Sequence, residues 1–170
     1  MQFPAPPRGL KAIPWRLPIL LYQAGLGWTL GGRFLRLQHQ GRKSGKTRSA
    51  VLEIIHSQPD HGLYYVASGF GTASDWYRNI RQHSRVNIQI GGNLFPAEAK
   101  QLDPEHAAEL IIGYAQRNPS SLKTLIKMLG YEIDFSREGL RAFGQNLPVI
   151  QFQITDMNSQ EETLSPAPKP

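Results

Sequence analysis

RFLRLQHQGRKSGKTRSAVLEIIH, Arg33–His56, is the stretch on which the fold turns. Its first eight residues alternate, with Leu35 and Leu37 on one face, and its last ten are rich in apolar and β-branched side chains. Between them Gly41–Arg48, GRKSGKTR, gathers four cations, two glycines and two hydroxyls. Apolar residues at strand spacing on both sides of a glycine-containing polar run predict strand, loop, strand. Gly45, Lys46 and Thr47 imitate part of a nucleotide-hydrolase phosphate loop. That motif needs a glycine five residues before Gly45, where Gln40 stands, and it must open a helix rather than a strand.

Further strand signals follow downstream. LYYVAS (63–68) comes after the turn-forming QPDHG, and VNIQI (86–90) alternates strictly before a Gly91-Gly92-Asn93 turn into LFPAEAKQL, which makes a hairpin. LPVIQFQI closes the series with Ile150, Phe152 and Ile154 facing inward. Helical spacing occupies the gaps. ASDWYRNIRQHS puts Trp76 and Ile80 four apart. DPEHAAELIIGYAQRNP offers Asp103 as N-cap and Pro104 at the first helical position, and buries Ala107, Leu110, Ile111 and Tyr114. SSLKTLIKMLGY aligns Leu122, Leu125, Ile126 and Leu129 before a Gly130 stop, and Ser136 caps SREGLRAFGQNL. The expected fold class is α+β, a mostly antiparallel barrel with packed helices.

The 170 residues, 40% of them hydrophobic, suit one domain with one sizeable core. Residues 1–14 read as a flexible proline-rich arm, 15–155 as the single domain including an N-terminal helix, and 156–170 as a disordered tail. The apolar and aromatic run from Trp15 to Phe34 reads first as a helix capping the core. A second reading makes it an interfacial segment touching a membrane surface. No run is long and apolar enough to span a bilayer, and no signal peptide is evident, so a cytoplasmic location is expected.

A formal charge of +6 favours anionic partners, and the absence of cysteine removes disulfides, thiolate metal sites and a cysteine nucleophile. Five histidines lack ligand spacing, so no metal is expected; His39, beside the basic loop, is expected at the surface. The loop lacks the interleaved aromatic residues of single-strand binders, and no helix-turn-helix or zinc-finger signature is present, so no nucleic-acid partner is expected.

Three blocks, GRKSGKTR (41–48), YVASGFG (65–71) and SDWYRNIRQHSRVNIQIGG (74–92), resemble in order and spacing the deazaflavin-dependent nitroreductase family. The resemblance runs from about Phe34 to Ile154. It implies a split β-barrel, coenzyme F420 as cofactor, and hydride transfer to an electron-poor small molecule such as a quinone, nitroaromatic or activated enone. By the family pattern Gly41, Arg42, Lys43, Ser44 and Gly45 would hold the phosphate, with Arg48 nearby. Ala67, Ser68 and Gly69, with Trp76 and Asn79, would lie against the deazaflavin ring. Arginine forks, lysine point charges and neutral amide and hydroxyl donors suit a tail of phosphate and carboxylates. The cofactor carries the hydride, so no catalytic dyad is required. Tyr77, Tyr114 and Tyr131 are candidate suppliers of the accompanying proton, alongside water. Relatives commonly have a lysine after the strand-ending serine and a proline ahead of the tryptophan, where this chain has Gly69 and Asp75. Those departures leave room for flavin mononucleotide (FMN) on the same fold, and the N-terminal apolar run leaves room for a non-catalytic lipid or cofactor carrier. A homodimer and a monomer are both compatible with the sequence.

Overall fold

The structure is a computed structural model that describes residues 3–5 and 32–156. Its strands are β1 (Phe34–Gln40), β2 (Thr47–Gln58), β3 (Leu63–Ala67), β4 (Arg85–Ile90), β5 (Asn93–Gln101) and β6 (Val149–Ile154). Its helices are α1 (Asp75–Gln82), α2 (Pro104–Arg117), α3 (Pro119–Leu129) and α4 (Arg137–Asn146). The strands close into a barrel in the order β1-β2-β3-β6-β5-β4, and every pairing is antiparallel. Among the described residues, closure leaves no edge strand to template aggregation.

Local hairpins supply half of the barrel's six pairings. β1 and β2 pair from Phe34 opposite Glu53 to Gln40 opposite Thr47, across the basic loop. The three helices after β5 return the chain so that β6 inserts between β3 and β5. Strand parity then decides what is buried, since alternate side chains face opposite sides. Leu35, Leu37, Val66, Ile88, Ile150 and Phe152 fill the interior at 0–1% exposure. Each such side chain contributes roughly 1.5–3 kcal/mol relative to an exposed one.

A second core lies outside the barrel, where α2, α3 and α4 bring Ile111, Leu122, Ile126 and Phe143 against Ile55, Tyr65 and Val149. Two cores explain why Val149 and Ile150 are both buried although they are neighbours: one faces the helices and the other the barrel. The caps follow the sequence. The Asp103 carboxylate accepts from His106 N (2.9 Å), the Ser136 hydroxyl accepts from Gly139 N (3.1 Å), and Gly130 ends α3 at φ 75°. Gly144 lets α4 close on α2, because a Cβ there would stand 2.6 Å from Ala108 Cα. Leu110, Leu125 and Leu129 are only partly buried; the last two also line a cavity.

Phe3 packs against the helical core with its ring over Gly71. The arm apart from residues 3–5, almost all of the Trp15–Phe34 run and the tail beyond Asp156 lie outside the described residues. Among the described residues no helix is long and apolar enough to cross a membrane.

Candidate functional site

The basic loop between β1 and β2 folds on itself. Gly41 N donates to Lys46 O (2.9 Å), while Ser44 N and Gly45 N donate to Gly41 O (3.2 and 2.8 Å). A cavity of about 900 Å³ opens beside the loop and runs along β2 to the inner faces of α2, α3 and α4. Gly41, Arg42, Lys43, Ser44 and Arg48 line one end, together with Asp75, Trp76 and Asn79. Ala67 and Gly69 border it at the end of β3. Ile111, Leu122, Leu125, Ile126 and Leu129 make the other end apolar. One cavity therefore joins a cationic rim to a hydrophobic hollow.

α1 fixes the loop. Asn79 is buried, and its Oδ1 accepts from Arg42 N (3.1 Å) and Arg42 Nη1 (2.9 Å). Its Nδ2 donates to His39 Nδ1 (3.1 Å), which places the imidazole proton on Nε2. The Arg42 guanidinium also pairs with Asp75 Oδ1 (3.1 Å). Arg42 thus turns its backbone N–H and both Nη atoms toward α1, whereas Lys43, Lys46 and Arg48 pair with no carboxylate among the described residues.

His39 is not at the surface. It is 6% exposed, because it continues the inward parity of Leu35 and Leu37 on β1. Burial pushes its pKa below the ordinary 6.5, which keeps the ring neutral and able to accept from Asn79.

The remaining expected positions divide. Gly45 and Ser68 lie outside the cavity wall. Ser68 is fully buried, and its hydroxyl donates to Gly71 O (2.7 Å) and pairs with Ser74 Oγ (2.9 Å), so it shapes the turn after β3. Trp76 lines the cavity and meets Tyr77 edge-on. Of the three tyrosines, Tyr114 lines the cavity, whereas Tyr77 and Tyr131 do not. The Tyr77 hydroxyl donates to Gln101 Oε1 (2.8 Å) and that of Tyr131 to Gly69 O (2.8 Å), which pins the end of β3. Desolvation pushes the Tyr131 phenol up to about 12. The Tyr114 phenol is likewise pushed up to about 12, by burial first and then by its 2.6 Å hydrogen bond to Glu53 Oε1.

Sequence reading passed over Glu53, a carboxylate that lines the cavity. It sits on the cavity face of β2 with its side chain 14% exposed, and Oε1 also accepts from Arg33 Nη2 (2.7 Å). The signal was present: a lone carboxylate inside the apolar run AVLEII needs a partner or a task.

Comparison with known proteins matches residues 20–124 to the family profile described as F420H(2)-dependent quinone reductase. A protein of Mycobacterium tuberculosis H37Rv, provisionally named an F420H(2)-dependent quinone reductase, is 33% identical over 78 residues, which is 45% of this chain and 64% of that relative. The match thus spans less than two thirds of the relative's length. Among solved structures, an F420-H2 dependent reductase (FDR-A) is 19% identical with a TM-score of 0.48, over 71% of this chain and 94% of its own. A pyridoxamine 5'-phosphate oxidase-related, FMN-binding protein from Nostoc punctiforme is 13% identical with a TM-score of 0.50, over 83% and 80%. That last likeness concerns the split-barrel fold alone.

Proposed function

This chain belongs to the F420H(2)-dependent quinone reductase family, whose cofactor is coenzyme F420, and we propose that it reduces a quinone or a related electron-poor acceptor. The carrying observation is the single cavity with a cationic rim at one end and an apolar hollow at the other. Nitroaromatics and activated enones belong to the same acceptor class and are the wider range of this reading.

The residues present fit a phosphorylated, multiply carboxylated cofactor. Three cations at the loop, Lys43, Lys46 and Arg48, have no carboxylate partner among the described residues. In this reading they take the acidic tail, Arg42 holds the loop in shape, and Ala67, Gly69 and Trp76 border the ring. Bound there, reduced F420 supplies the hydride equivalent. The apolar hollow of Ile111, Leu122, Ile126 and Leu129 desolvates the acceptor and keeps water from the reacting end. Tyr114 and Tyr131 hold their protons at neutral pH and donate them to Glu53 and Gly69 O. Both phenols therefore fix structure, and solvent supplies the proton that completes acceptor reduction.

The test is a fluorescence titration of the purified chain with F420, with FMN in parallel, for wild type and Lys43→Ala/Lys46→Ala. Exposed charges are screened over about 10 Å at 0.1 M salt and about 3 Å at 1 M. The double variant should therefore bind F420 about 10-fold or more weakly at low salt, with the difference shrinking at high salt. Failure of both cofactors to bind below about 100 μM overturns the reading.

A further inference from the structure

The apolar half of the cavity contains one acidic side chain. Glu53 projects from β2 beside Phe34, its cross-strand partner, and faces the wall formed by Ile111, Leu122 and Ile126. The cavity's other carboxylate, Asp75, lies at the cationic end and is paired with Arg42. Both hydrogen bonds to Glu53, from Tyr114 Oη and Arg33 Nη2, fall on Oε1. Oε2 has no hydrogen-bond partner among the described residues. Arg33 is half-exposed and outside the cavity wall, where water screens its charge, and it also donates to Ser121 Oγ (3.0 Å). Tyr114 is buried and locks the carboxylate from the α2 side. A carboxylate in an apolar wall is costly unless it is paired, and Arg33 and Tyr114 meet that cost at Oε1 alone, which leaves Oε2 toward the cavity.

Resting on the reductase reading above, we propose that Glu53 is a specificity-determining residue of the acceptor subsite: it rejects acceptors that carry an anionic group and admits neutral, lipophilic quinones. Like charges brought together in a desolvated pocket repel strongly, and that repulsion discriminates between ligands of equal shape. Oε2 remains able to accept a hydrogen bond from a hydroxyl or amino substituent on a neutral ring.

The experiment compares 2-methyl-1,4-naphthoquinone with 1,4-naphthoquinone-2-sulfonate, a neutral and an anionic ring of similar size. Binding to the full chain without cofactor is read by quenching of tryptophan emission, since Trp76 lines the cavity, and turnover is read separately with reduced F420. Wild type should bind the neutral quinone about 10-fold or more tightly than the sulfonate. Glu53→Gln keeps an acceptor for Tyr114 while removing the charge; it should close most of that gap by improving the sulfonate alone. Tyr114→Phe keeps the charge and should keep the discrimination. Equal affinities in wild type, no binding of the neutral quinone, or an unchanged ratio in Glu53→Gln each overturn the proposal. Turnover with an unchanged ratio defeats the role of Glu53 and leaves the reductase reading standing. A closed gap in binding without any turnover sustains the subsite and defeats the reductase reading.

Discussion

Replacing Asn79 by alanine should loosen the basic loop and lower stability together. Asn79 makes three contacts: Oδ1 accepts from Arg42 N and Nη1, and Nδ2 donates to buried His39 Nδ1. The substitution strands the His39 acceptor and the Arg42 amide, and an unpaired buried polar group costs about 1–3 kcal/mol. Partial exposure of Arg42 lets water repair some of the loss, so the sum is about 2–4 kcal/mol. The remaining Arg42–Asp75 pair cannot compensate, because Asp75 is 83% exposed and such pairs contribute about 0–1 kcal/mol. For a chain of this size each kcal/mol shifts the midpoint by about 2–4 °C, which predicts a fall of roughly 4–16 °C. Thermal unfolding followed by circular dichroism measures the shift, and F420 titration should show weaker binding in the same variant. A midpoint within about 2 °C of wild type with unchanged affinity would refute the view that Asn79 holds the loop.

The other expectations can be checked with the same instruments. Burial holds His39 below its ordinary 6.5, so between the two pKa values the unfolded chain binds a proton that the folded chain refuses. Stability is therefore full above pH 6.5 and falls as pH drops below it; His56, also lowered, adds the same sign, and His39→Gln should flatten the thermal midpoint's pH dependence. Gly71 has φ 55°, and a Cβ there would lie 2.1 Å from the Phe3 ring, so Gly71→Ala should lose about 1–2 kcal/mol to the left-handed backbone and more to the clash. Adding Phe3→Ala should recover only the clash in urea melts, and additive losses would show that Phe3 does not pack there.

Much of the barrel was legible because period-two patterning is local. VNIQI, LPVIQFQI and the run through Leu35 and Leu37 each declare an inner face, and the Gly91-Gly92 turn joins two of the strands. Asp103 and Ser136 declared helix starts for the same reason, since a cap acts within three residues. His39 was misjudged because residue type was weighed above parity: two positions beyond Leu37, it belongs inside. Tyr114 and Glu53 are 61 residues apart, and Tyr131 and Gly69 are 62 apart. Their contacts exist only once three helices fold back over β2 and β3, so no spacing rule could pair them. The family pattern set Arg42 beside Lys43 on the phosphate, and no spacing rule could show that Asp75 and Asn79, more than 30 residues on, hold its side chain.

That diversion gives Asp75 a physical task. The family resemblance would place a proline ahead of the tryptophan, where a fixed φ starts the helix. Here the first residue of α1 is an aspartate, which is favourable near the positive end of the helix and also reaches across to the Arg42 guanidinium. The acid therefore ties the start of α1 to the loop by charge. Arg42 gives donors to Asn79 as well, so two α1 residues one turn apart grip the same arginine. The loop is thereby shaped before any anion arrives, and Lys43, Lys46 and Arg48 remain for that anion. A carboxylate at each end of the cavity then does different work. Asp75 neutralises a cation that shapes the loop, and Glu53, held in an apolar wall, sets the charge that the acceptor has to tolerate.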